Sequence, residues 1–195
     1  MTQRLRRYAP DELIRFLTAL DASLHKPAKL TVIGGSALAL GYGGSAATSD
    51  IDTYESELDA VQEAAERASA ETGLHIPISN SMIAQLPAGY EERLVRVLPD
   101  LTKLEVRVLD SHDLAASKLL RGNEHDRQQL AQLHALAPLD LDTLVARYRD
   151  LIADYVGDPT EPMLSLRHLV QELWGEIAAV DTFGERTATF ASDRR

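Results

Sequence analysis

The sequence predicts an α/β (α+β) fold, a small mixed β-sheet with flanking helices and a helical C-terminal part. Three features point to it: short β-branched runs that stop at turn residues, a period-two alternation around two aspartates, and longer segments with apolar residues at helical spacing. With 195 residues, 45% hydrophobic and 26% charged, the chain can bury a substantial core and lacks the composition of a disordered polypeptide.

In chain order, residues 10–24 place Leu13, Ile14, Phe16, Leu17 and Leu20 at helical spacing, a first helix with one buried face. Leu30-Thr31-Val32-Ile33 is short, apolar and β-branched, and it stops at Gly34-Gly35 as a buried strand does. Residues 36–41 open a second helix, which the glycines at 41, 43 and 44 are expected to break. Ser49-Asp50-Ile51-Asp52-Thr53-Tyr54 alternates polar and apolar, so a strand here projects Asp50, Asp52 and Tyr54 on one side.

Residues 57–72 are rich in alanine and glutamate and form a helix that Gly73 stops, with a short strand at 74–78 after it. Residues 93–97 and 104–109 read as two further strands joined through Pro99-Asp100. Helices follow over 111–121, 126–136, 143–155 and 164–177. Ser111 and Asp113 read as capping residues beside His112, and Trp174 joins Leu169, Val170, Leu173 and Ile177 on an apolar face as a core or interface anchor. The expected organisation is a core over 1–137, a helical extension over 138–181 and a flexible polar tail over 182–195.

With no cysteine, disulfides, thiolate metal sites and a cysteine nucleophile are excluded, so a metal must sit on oxygen or imidazole. The formal net charge of -10 argues against a broad polyanion-binding surface, and a nucleic-acid substrate would require a local basic patch. The N-terminus is basic but leads into an amphipathic segment, and no run is long enough to span a bilayer; a cytoplasmic location without a membrane partner is expected.

A strand ending in Gly34-Gly35-Ser36 and opening into a helix offers free backbone N–H groups, a hydroxyl and the positive end of a helix dipole, the chemistry that binds phosphate. Alone, the Gly-Gly pair also fits a plain strand-to-helix turn. Asp50 and Asp52 on one strand face repel each other unless a cation neutralises them, and hard ions such as magnesium or manganese take carboxylates together with phosphate oxygens. A solvated edge strand is the other source of such a pair.

The combination of Gly34-Gly35-Ser36 with Asp50-Ile51-Asp52 after thirteen intervening residues resembles the signature of the DNA polymerase β-like nucleotidyltransferase superfamily. A second block, Asp113-Leu114-Ala115-Ala116-Ser117-Lys118-Leu119 followed by Arg121 and His125-Asp126, is similar to minimal bacterial nucleotidyltransferases related to AbiEii-type toxins. The resemblance covers about residues 30–135. It implies that Gly34, Gly35 and Ser36 hold a nucleoside triphosphate, that Asp50 and Asp52 hold Mg2+ (or Mn2+), and that Lys118 and Asp126 belong to the active site. A lysine there neutralises triphosphate charge, while an aspartate orients it or activates an attacking hydroxyl.

The pattern also departs from these relatives. Ala46 stands where they often carry a basic residue, His125 where Arg or Lys is usual, and Gln128-Gln129 where an acidic pair is usual. The superfamily adds a third carboxylate from a later strand, for which Glu105 is the candidate here. The resemblance implies transfer of a nucleotidyl group to a hydroxyl on tRNA or protein, with the toxin of a toxin–antitoxin pair and its cognate antitoxin as the setting it suggests. The alternative is a weak or inactive relative that serves as a binding or antitoxin-like regulatory partner.

Overall fold

The two aliphatic runs around Val32 and Val106 become the middle of a mixed sheet. The computed structural model describes residues 6–56, 58–81, 84–153 and 155–184, so the tail from 185 onward lies outside the described residues. The strands are β1 (Ala28–Val32), β2 (Ile51–Thr53), β3 (Ile78–Asn80), β4 (Val95–Val97) and β5 (Leu104–Val108). The helices are α1 (Pro10–Ser23), α2 (Gly34–Tyr42), α3 (Asp59–Thr72), α4 (Ser111–Arg121), α5 (Glu124–Leu136), α6 (Leu141–Ala153), α7 (Thr160–Trp174) and α8 (Glu176–Phe183).

The sheet order is β3-β2-β1-β5-β4. β1 runs parallel to β5 and antiparallel to β2, β2 runs parallel to β3, and β4 runs antiparallel to β5. Strand alternation gives the sheet two unlike faces. Leu30, Val32, Ile51, Leu104, Val106 and Val108 are buried and share one hydrophobic core with the helices. Lys29, Thr31, Asp52, Glu105 and Arg107 belong to the other face and retain access to solvent. The predicted α/β class with a mixed sheet and flanking helices is the observed one.

Boundaries moved where a local rule outweighed composition. The α2 helix runs on through Gly41, because there it crosses β5 so closely that a Cβ would stand 2.7 Å from Val108 Cγ2; it stops at Gly43. β3 begins after Pro77 rather than at Leu74, since proline has no N–H for the ladder; Leu74 and Ile76 are buried outside the strand. Residues 90–93 form a 3-10 turn, which shortens β4 to three residues.

The helical C-terminal part packs into the same core, through Leu144, Tyr148 and Ile152 of α6 and Leu166 and Val170 of α7. The helix expected over 164–177 is two helices. α7 begins earlier, at Thr160, with Pro162 tolerated in its first turn, and Gly175 at φ 93° separates it from α8. Ile177 consequently leaves the apolar face of α7 and is 80% exposed, while Trp174 packs edge-on against His134 at 5.0 Å. The cap of α4 is Asp110, whose carboxylate accepts the Asp113 N–H at 2.9 Å. Asp113 itself is fully buried in ion pairs. No helix among the described residues is long and apolar enough to cross a membrane.

Candidate functional site

β1 ends at Val32, Ile33 caps α2 through its backbone, and no side chain caps that helix. The first N–H groups of α2 therefore lack intrahelical partners at the turn itself. Gly34 sits at φ +68°, and a Cβ there would stand 3.2 Å from Asp52 Oδ2, so glycine serves both the turn and the approach of the carboxylate. The Ile33 N–H donates to the Asp52 carbonyl at 2.9 Å, which fixes β2 against the turn.

The turn departs from expectation at Ser36. Its side chain is 1% exposed and its hydroxyl donates to the Ile33 carbonyl at 3.1 Å, inside the helix's own first turn. The free amides, rather than this hydroxyl, are what the turn presents.

Asp50 lies in the bend one residue before β2, and Asp52 lies within the strand. Thr48 holds the approach to both, its hydroxyl shared between the Asp50 carbonyl at 3.2 Å and Asp50 Oδ1 at 3.4 Å. Burial first, then the negative charge of Asp50, push the Asp52 carboxyl above the ordinary aspartate range; Arg121 and Lys118 offset this only in part. Asp52 thus stays raised although two cations act on it.

The second sequence block forms the wall opposite. Asn123 caps α5 by accepting the Asp126 N–H at 2.9 Å, and its own amide donates to Asp126 Oδ2 at 2.6 Å. This reciprocal cap starts α5 at Glu124, earlier than expected, and locks the Asp126 carboxylate. Arg121 Nη2 donates to Asp126 Oδ1 at 2.8 Å, and Lys118 Nζ lies 3.6 Å from the same oxygen. Lys118 is 0% exposed, donates to Gln129 Oε1, and is pulled down to about 8 by burial against the opposing attraction of Asp126.

The two blocks meet at Gly35 and Gln129. A Cβ on Gly35 would stand 3.3 Å from Gln129 Nε2 and 3.5 Å from Thr48 Oγ1, so glycine gives α5 its close approach. Gln129 Nε2 is also 3.0 Å from His125 Nε2, and Arg7 Nη2 lies 3.5 Å from that same ring nitrogen. The N-terminal segment reaches this rim because Tyr8 bridges Thr48 through paired backbone hydrogen bonds of 2.7 and 3.1 Å.

Gly34, Gly35, Asp50, Asp52, Lys118 and Asp126 are therefore gathered at one end of the sheet. Glu105 is not among them. It stands level with Lys29, three residues before the end of β1, and pairs with Arg107 and with Lys29 at 3.9 Å. The strand order explains the difference, because the register that puts Val108 opposite Val32 leaves Glu105 at the far end of the same face. Among the described residues, no group of three or more His, Asp or Glu side chains is arranged to hold a metal ion. Thr48 and Arg7 were not singled out from the sequence, and Gln129 stood out only as a departure from the acidic pair of its relatives. Thr48 has a signal in its place two residues before Asp50, whereas Arg7 is brought in only by tertiary pairing.

A mixed sheet covered by helices on one face, with a glycine turn against paired carboxylates, is the architecture of a small nucleotidyltransferase core. The chain belongs to a family of nucleotidyltransferases of unknown function (DUF6036), whose model matches residues 11–164. No curated protein and no solved structure matches it. The family match extends beyond the two motif blocks on both sides and takes in α1, all of α6 and the start of α7.

Proposed function

We propose that the protein transfers a nucleotidyl group from a nucleoside triphosphate to a hydroxyl, in a reaction that depends on magnesium or manganese. The observation that carries this reading is the Asp52 carboxylate, packed against Gly34 of the turn and pushed upward in pKa by burial and by Asp50. Two hard oxygen donors with unbalanced negative charge fit a divalent cation. With only two carboxylates at hand, the rest of its shell falls to triphosphate oxygens and water. When bound, the ion supplies charge neutralisation at the phosphates.

The chain's own groups divide the remaining work. The amides of the α2 turn bind phosphate oxygens. Arg121, with a side chain 48% exposed, is the cation able to reach the triphosphate, and Asp126 orients it. Lys118, fully buried, acts through Gln129, Asp126 and its field on Asp52. Arg7 at the rim stands in for the basic residue missing at Ala46. The acceptor hydroxyl oxygen bonds to the α-phosphorus and gives up its proton to solvent, the bond to the pyrophosphate oxygen breaks, and pyrophosphate leaves.

The acceptor classes that fit the resemblance are tRNA and protein, and the biological role is the toxin of a toxin–antitoxin pair with a cognate antitoxin. The position of Glu105, paired at the far end of the sheet, favours a second reading in which the protein binds nucleotide without transfer and serves as a regulatory partner.

Incubation with each α-labelled nucleoside triphosphate, magnesium, total tRNA and cell protein, beside an Asp52→Ala control, separates the readings. Label on RNA or protein with the unsubstituted chain alone supports transfer. Nucleotide binding without label favours the regulatory reading.

A further inference from the structure

A cavity of about 200 Å³ opens directly beside the turn, bounded by Gly34, Ser81, Gln85, Ser117, Arg121 and Tyr155. Its lining combines the apolar Ile33, Ala84 and Leu120 and the aromatic Tyr155 with several polar side chains. Gln85 and the hydroxyls of Ser81 and Tyr155 have no side-chain hydrogen-bond partner among the described residues. Gly34 and Arg121 are shared with the carboxylate site, so the cavity and the phosphate turn are one continuous surface. An apolar slot with a few convergent polar ends is how proteins hold a flat heterocycle.

Resting on the reading of the turn and the aspartate pair as a triphosphate site, we propose that this cavity seats the nucleoside half of the nucleoside triphosphate, with Tyr155 packing against the base and Gln85 meeting its edge. Tyr155 lies just after α6, so the helical C-terminal part contributes the ring to a site whose phosphate end belongs to the sheet. Its side chain packs against the hydrophobic core, and its backbone is held by the Tyr155 N–H, which donates to the Ile152 carbonyl at 2.9 Å. An aromatic ring stacks on any base, while the primary amide of Gln85, one donor face and one acceptor face, distinguishes among base edges. Affinity is therefore set by Tyr155 and base preference by Gln85.

The test titrates the full chain, in magnesium, with the four nucleoside triphosphates and with inorganic tripolyphosphate. Tyr155→Leu keeps apolar bulk while removing the ring, and Gln85→Ala alters an exposed position, so folding is preserved and is checked by circular dichroism. Tyr155→Leu is expected to weaken all four nucleotides by roughly five- to tenfold, the scale of one base–aromatic stack, and to leave tripolyphosphate unchanged. Gln85→Ala is expected to compress the spread among the four bases. Unchanged nucleotide affinities and ranking in both variants overturn the inference while the triphosphate site stands, as does unsubstituted protein that binds tripolyphosphate as tightly as every nucleotide. If the unsubstituted protein binds neither, the triphosphate site itself fails and the nucleoside seat falls with it.

Discussion

Asp113 and Asp126 are both buried carboxylates attached to the ends of neighbouring helices and both held by arginine, yet their surroundings differ in kind. Asp113, 0% exposed, takes a bidentate grip from Arg93 at 2.9 and 3.1 Å and a third bond from Arg147 at 2.7 Å. Arg147 also reaches Asp110 at 3.3 Å, so two arginines face two aspartates and the cluster is closed on itself. Around Asp126 the arrangement is more open: Lys118 and Arg121 both reach Asp126 and also act on Asp52, whose carboxyl nevertheless stays above its ordinary range beside Asp50. The first cluster ties the 3-10 turn, α4 and α6 into one body, and the second borders the turn where the proposed cation and phosphate would sit. Buried charge that is saturated builds the fold, and buried charge left unbalanced marks the site.

The sharpest way to break this contrast is Asp52→Asn. At the open cluster, transfer should fall by at least about a hundredfold, the size of a lost charge interaction in phosphoryl chemistry, in an assay of label transfer. Stability should hold or rise at neutral pH. A carboxyl whose folded pKa is raised contributes stability only below its unfolded pKa and loses it as pH rises through the folded one. The advantage of the asparagine variant in denaturant midpoint should accordingly grow as pH climbs above the ordinary carboxylate range.

At the closed cluster the signs reverse. Asp113→Ala strands Arg93 and Arg147, and unfolding free energy from urea titration should fall by about 3–5 kcal/mol. A loss below about 1 kcal/mol would mean that the cluster is not what holds α6 to the core.

Lys118 sharpens the comparison through pH. Its folded pKa is lowered to about 8, so the charged form costs stability. The contribution is present above the unfolded lysine pKa and disappears as pH falls through about 8. Relative to Lys118→Met, the unsubstituted protein should gain stability between about pH 8 and the ordinary lysine range, and its affinity for nucleoside triphosphate should weaken as pH rises through about 8. The smallest effect belongs to Arg7→Ala at the rim, a severalfold loss of nucleotide affinity with the denaturant midpoint unchanged.

Much of this was legible in the sequence because it is local. The strand-to-helix turn at Gly34 and Gly35, the closely spaced pair Asp50 and Asp52, and the helix bearing Lys118 are each written within a few residues. Their convergence followed from a family resemblance, not from spacing. What escaped was set by tertiary register. Glu105 alternates correctly onto the face of Asp52, but its distance from the site depends on how β5 pairs with β1. Gly41 looks like a helix breaker until Val108 is beside it. Ser36 has the right chemistry for phosphate, but the tight turn directs its hydroxyl inward to Ile33. Arg7, 118 residues from His125, carries no local sign of its place.

The proposed role of Asp50, Asp52 and the α2 turn is to hold a metal–triphosphate between them. Calorimetric titration of a nucleoside triphosphate into the unsubstituted protein and Asp52→Asn, each with and without magnesium, tests it most directly. Binding is expected to require magnesium in the unsubstituted chain and to be lost or metal-independent in the variant. Equal affinity in all four titrations, or none in any, would contradict it.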